Sequence, residues 1–297
     1  MSENMQGRGL KSRFLVGTAL ALAAMAPGFA QNSRSFIATT GSDSNSCIQT
    51  APCYTFTRAL SNTKPGGEIV ILNTGAYGLL NITQPVIVTA TGVTGLMGTF
   101  SSSANGVIIN TTGNVTLSGL TIHAFGVGTD GVLVNQVGFL RLYNVMIEGF
   151  SNNGLEFDSG GGLAIYNSQF NDNQNAGILI SNSSASAYVQ DTGFDHNATG
   201  VQVTAGSVTV ANSFAHFNTT GFDVSGGTLV LTGDDSVLNG TGITVSASGT
   251  AQFTRCLISQ NTTAYNLSGG TVSGSTPGTT VITGPTSGTL GTATPLQ

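Results

Sequence analysis

The chain has 297 residues and a formal net charge of −5, and charged side chains make up only 7% of it, where about 25% is ordinary. Gly, Ser, Thr and Asn carry the polarity instead. Lys and Arg together number eight, too few and too scattered for a nucleic-acid or anionic-lipid surface, which needs clustered cations.

Residues 1–30 read as a secretory signal. Arg8, Lys11 and Arg13 form a basic start, Phe14 to Ala26 an apolar stretch, and Gly28 and Ala30 precede a cut ahead of Gln31. That stretch is 13 residues long, short for a bilayer span. Every later apolar run ends within a few residues at Gly, Ser, Asn or Thr, so no membrane span is expected in the mature chain. Cleavage removes three cations and Glu3, leaving 267 residues and a net charge of −7.

Residues 31–105 read as an N-terminal cap and first irregular coils. Cys47 and Cys53 bracket the loop CIQTAPC, and in an exported protein a disulfide is the favoured reading. Cys256 is left over and reads as a buried apolar side chain. Tyr54 to Ser61 fits one short amphipathic capping helix, with Phe56, Ala59 and Leu60 on one side and Pro65-Gly66-Gly67 stopping it. Glu68 to Leu72 and Pro85 to Val88 look like the first coils.

Residues 106–283 carry a repeated phrase, G-h-x-h with h apolar. It begins at Gly106, Gly131, Gly154, Gly177, Gly200, Gly221 and Gly242, and returns as AYNL at Ala264. Steps of 21–25 residues indicate a solenoid, because one repeat alone cannot bury its apolar side. Alternation within the phrase puts Val132/Val134, Leu155/Phe157, Ile178/Ile180 and their successors on one face. A second alternating run follows at Leu140/Leu142, Leu163/Ile165, Val208/Val210 and Leu229/Leu231. A third apolar position, seven residues before the next phrase, falls at Ile147, Phe170, Phe214 and Leu257. Three short strands per coil predict an all-β, three-sheeted parallel β-helix with coils about 4.8 Å apart. Asn144, Asn167 and Asn212, with Asp191 and Arg255 as substitutes, fall at one bend and suggest a side-chain ladder bonded to backbone. Residues 284–297 read as a loosely held tail.

The candidate chemistry is acidic. Glu156 and Asp158 share the outer face of one strand, with α-carbons about 6.6 Å apart. That separation is compatible with the paired carboxyls of an inverting glycosidase, about 6.5–9.5 Å apart. Asp172, Asp195 and His216 each lie five residues before the next glycine, which predicts one stacked column, with His196 beside it. Such a set could share protons or hold a divalent cation such as calcium; no other cofactor is evident. Asp234-Asp235 reads as a solvated turn, and His123 shows no partner in the sequence.

The run FIATTGSDSNSC…APCYTFTRAL…KPGGEIVIL…GAYG, followed by these coils, resembles exported right-handed parallel β-helix proteins of the pectin-lyase-like superfamily, and its phrases resemble one bacterial subgroup. The resemblance implies a secreted, periplasmic or cell-surface location and a polysaccharide or cell-envelope glycan as partner. If it is an enzyme, it implies a polysaccharide lyase or a glycoside hydrolase. The superfamily also includes adhesins and tailspikes, so fold alone does not assign activity. Of the polygalacturonase phrases only Asp234-Asp235 matches, and Arg141, the one cation of the middle coils, is not beside Glu156. Two functional expectations follow: a carbohydrate-interacting protein, or a non-enzymatic structural or adhesive surface protein.

Overall fold

In a computed structural model, residues 31–93, 95–98, 104–124, 128–272 and 280–289 are described. The expected signal, 1–30, and the end of the tail, 290–297, lie outside the described residues. Strands follow one another around three parallel sheets. Sheet A has eleven strands, from Asn32–Ile37 to Thr271–Val272. Sheet B, with ten, holds the glycine-led phrases from Val107–Asn110 onward, and sheet C, also with ten, holds the shorter strands between. The expected parallel solenoid is the observed fold.

Register follows the phrase. Val132, Leu155, Ile178, Val201, Phe222, Ile243 and Tyr265 stack as one column in sheet B, and all seven are buried. The second alternating run is buried in sheet A. Burying each such side chain is worth about 1.5–3 kcal/mol, so the repeated inward set is what holds consecutive coils together.

The glycine that opens each phrase is required by close approach. A Cβ on Gly131, Gly154, Gly177, Gly200 or Gly221 would lie 2.4–2.7 Å from the carbonyl oxygen of the next phrase's glycine. Asn144, Asn167, Asp191 and Asn212 have φ of 48–51°, a left-handed conformation that Asn and Asp tolerate better than most residues. Backbone conformation therefore accounts for asparagine at that bend. The side-chain ladder lies at the turn between sheets C and B, where Asn173, Asn197, Asn218, Asn239 and Asn261 are buried. Each Oδ1 from Asn197 onward accepts the backbone N–H of the asparagine one coil earlier, at 2.8–3.1 Å. Asn197 and Asn218, each of which opens an N-x-T triplet, are thus rungs of an interior ladder.

A second buried ladder joins sheets A and C through Ser168, Thr192, Ser213 and Asp234. Ser213 Oγ accepts from Thr192 N–H at 3.1 Å, and Asp234 Oδ1 accepts from Ser213 N–H at 2.7 Å. Asp234 is therefore no solvated turn residue. Burial pushes its carboxyl up to about 7, against the opposing pull of the Ser213 and Thr232 amides. Cys256 is buried as expected, and burial raises its thiol to about 11.

At the N-terminal end the helix runs Phe56–Asn62 and buries Phe56, Ala59 and Leu60. It ends before Thr63–Ile71, a sheet A strand that already contains Pro65-Gly66-Gly67. Thr55 caps the helix by accepting from Arg58 N–H at 3.2 Å, and Asp43 accepts from Tyr54 and Thr55 N–H. Cys47 and Cys53 form the expected disulfide. Asn32–Ile37, ahead of the helix, adds a parallel strand beside Thr63–Ile71 and covers that edge of sheet A. At the other end Thr286–Ser287 pairs with Tyr265 and Asn266, carrying the ladder past residue 283.

Candidate functional site

Glu156 lies at the middle of Leu155–Phe157 on the outer face of sheet B, between Leu133 and Leu179 on the flanking coils. Its Oε2 accepts from Asn153 Nδ2 at 3.0 Å. Asn153 is buried, and its position is fixed from both sides: its N–H donates to Asp130 Oδ1 at 3.0 Å, and its Oδ1 accepts from Ala176 N–H at 3.1 Å. Asp130 is buried too and also accepts from Asn152 Nδ2 at 2.8 Å. Two carboxyls are thus joined through one asparagine.

Burial raises the Glu156 carboxyl above the usual carboxylate range, and the negative charges of Asp130 and Asp158 raise it further, against the Asn153 bond. Burial raises Asp130 likewise. A carboxyl in this state keeps its proton to higher pH, which is what a general acid needs. Asp158 sits beyond the strand end, exposed, with Ser181 Oγ 3.3 Å from its Oδ1. The expected Glu156/Asp158 pair is therefore close but unequal, and the better partner is Asp130. Asp130 stands just before Gly131, as Asn153 stands just before Gly154, so alignment on the glycine would have found it.

The outer column of sheet B continues through Asn81, Ile108, Leu133, Glu156, Leu179, Gln202 and Asp223. A cavity of about 330 Å³ opens at its N-terminal end, lined by Thr57, Leu79, Asn81, Asn105 and Ile108 among others. Burial also raises the Asp223 carboxyl, whose Oδ2 lies 3.4 Å from Gln202 Nε2.

The column expected from Asp172, Asp195 and His216 is half correct. Asp195 and His216 are in register, with Oδ1 and Nδ1 3.9 Å apart. Asp172 is not with them; its place is taken by Asn171. Four residues separate Asn171 from the sheet B strand at Ala176, but only three separate Asp195 from Thr199, so counting back from the glycine slips by one. The same slip misplaced Phe214 and Leu257, since the inward column of sheet C runs Ile147, Phe170, Phe194, Ala215, Ser236 and Ile258. Asp172 instead sits at a left-handed turn position equivalent to His196 and Phe217, on the rim of an open depression of about 440 Å³.

The outer column of sheet C reads His123, Glu148, Asn171, Asp195, His216. His123 has a partner after all: its Nδ1 is 3.2 Å from Glu148 Oε1. Burial raises the Asp195 carboxyl, while His216 and His196 oppose that rise. Among the described residues no group of three or more His, Cys, Asp or Glu side chains could hold a metal ion.

Residues 86–236, 151 of 297, match the family described as the right-handed β-helix region. The chain belongs to that family. Among solved structures, this β-helix is similar to the pectate lyase Pel9A, at 16% identity and a TM-score of 0.51, over 84% of this chain and 71% of that one. It is also similar to a GH136 lacto-N-biosidase from Eubacterium ramulus, at 10% identity and a TM-score of 0.54, over 83% of this chain and 64% of that one. The β-helix thus spans less than two thirds of the lacto-N-biosidase, and at these identities the likeness shows the fold alone. Curated protein sequences gave no match. Among the described residues no helix is long and apolar enough to cross a membrane.

Proposed function

We propose that this β-helix is an exported protein that binds polysaccharide across the outer face of sheet B, with Glu156 as the side chain that meets the glycan. The Asp130–Asn153–Glu156 relay carries the reading. It holds a carboxyl with a raised proton affinity on the surface, beside a column that leads from a cavity, and nothing in the packing of the solenoid requires it there. The relationship of the fold to a pectate lyase and a lacto-N-biosidase supports a glycan as the ligand class. A protonated Glu156 donates a hydrogen bond to a glycosidic oxygen, and the same geometry suits proton delivery to a leaving group.

The test is a panel of polysaccharides incubated with the mature protein near pH 5, scored for bound protein and for new reducing or unsaturated chain ends. Binding that Glu156→Ala weakens supports the proposal, and release of chain ends would add catalysis to it. Absence of binding to any polysaccharide contradicts it.

A second reading, a structural or adhesive rod, has its own observation. In the C-terminal coils one column in each of two sheets is an uninterrupted run of hydroxyls: Thr199, Thr220, Thr241 and Thr263 in sheet B, and Ser186, Ser207, Thr228, Thr250 and Thr271 in sheet A. A chain that binds no glycan yet adheres to cells or to itself would favour that reading.

A further inference from the structure

Sheet A carries a feature that the Glu156 site does not use. On its outer face Tyr143 and Tyr166 are neighbours in register, with rings stacked at 5.3 Å and 9°. Tyr188 follows one coil on, its ring 6.0 Å from that of Tyr166. It is 37% exposed. Phe139 and Arg141 lie on the strand of Tyr143, and the guanidinium stands 4.3 Å over the Phe139 ring. Enclosed by these side chains is Ala164, in register with Arg141 on one side and Tyr188 on the other. Ala164 is buried among these larger side chains.

Stacked tyrosines on a solvent face present apolar rings and polar hydroxyls together, the pairing that a sugar needs for its C–H face and its hydroxyls. Arg141 supplies the charge. Among the described residues no carboxylate lies within ion-pair distance of it, although acids outnumber cations in this chain. Asp191, which follows the Tyr188 strand, is held by Gln190 Nε2 at 2.9 Å. We propose that this platform is a second glycan-binding site, distinct from Glu156, which takes a polysaccharide bearing anionic groups: sugar rings lie across the outer edges and hydroxyls of the Tyr143–Tyr166 stack and against the tilted Tyr188 ring, and a carboxylate or sulfate pairs with Arg141.

The chain has no Trp and six Tyr, three of them in the platform, so tyrosine fluorescence reports occupancy directly. The mature protein is titrated with polygalacturonate, dextran sulfate and neutral dextran. The expected result is a fluorescence change with one or both acidic polymers and none with dextran; which acidic polymer acts separates uronate from sulfate. Tyr166→Ala and Arg141→Gln are each expected to weaken binding about tenfold, with binding falling as salt rises. Tyr188→Ala, at the most exposed ring, serves if Tyr166→Ala does not fold. Binding that survives these tyrosine and Arg141 variants but is lost in Glu156→Ala overturns the platform while leaving the sheet B site standing. Equal binding of dextran, unaffected by Arg141→Gln, overturns it as well, as does failure of both acidic polymers to bind.

Discussion

Asp234 makes the stability of this solenoid depend on pH in a predictable direction. In the folded chain its carboxyl titrates near 7, against 3.8 as its ordinary value. The folded state therefore keeps a proton that the unfolded state has already lost. Its contribution is fully present below about pH 4 and is lost as pH rises through about 7. The displacement corresponds to at most about 4 kcal/mol, or roughly 10 °C in melting temperature for a chain of this size. Asp234→Ser is the informative perturbation, because Ser168 and Ser213 already occupy equivalent rungs and a serine Oγ can accept the Ser213 N–H. Thermal melts between pH 4 and pH 7.5 should show the wild-type chain losing stability with rising pH and Asp234→Ser losing clearly less. Some slope remains in the variant, since Asp130, Glu156, Asp195 and Asp223 are displaced the same way. Equal slopes in the two proteins would refute the reasoning.

Three further perturbations test the fold. Asn218→Ala removes the acceptor for Asn197 N–H and the donor to Phe194 C=O, and should cost about 2–4 kcal/mol in urea unfolding. Gly200→Ala places a Cβ 2.5 Å from the Gly221 carbonyl oxygen and should cost about 1–3 kcal/mol, read as a lower denaturation midpoint. Reducing Cys47–Cys53, which closes a loop with a sequence separation of 6, should lower stability by about 2 kcal/mol, measurable by melting with and without reductant.

The coil count and the inward columns of sheets A and B were legible because one residue, the phrase glycine, is forced at a fixed place in every coil by its neighbour's carbonyl oxygen. Counting from it worked toward the following strands. It failed backward across the turn from sheet C, where that turn shortens by one residue, and so Asp172 was placed in a column that belongs to Asn171. The asparagines at positive φ fall at the expected bend, but backbone conformation and not a side-chain ladder puts them there. The buried Asn173–Asn261 ladder escaped because polar letters within N-rich turns look alike until burial distinguishes them. Asp130 is hidden in the sequence for a related reason: a lone acid before a glycine gains meaning only when Asn153 connects it to Glu156. The tyrosine platform is hidden in the sequence because Tyr143 and Tyr166, though spaced by one coil, sit at the ends of strands whose apolar alternation points inward.

The most direct test of the sheet B site is the affinity of Glu156→Ala for a polysaccharide that the wild-type chain binds, measured from pH 4 to pH 8. Wild-type binding should weaken as pH rises through the raised Glu156 titration, whereas the variant should bind more weakly and lose that pH dependence. A variant with unchanged affinity and an unchanged pH profile would place the glycan elsewhere and contradict the assignment of Glu156.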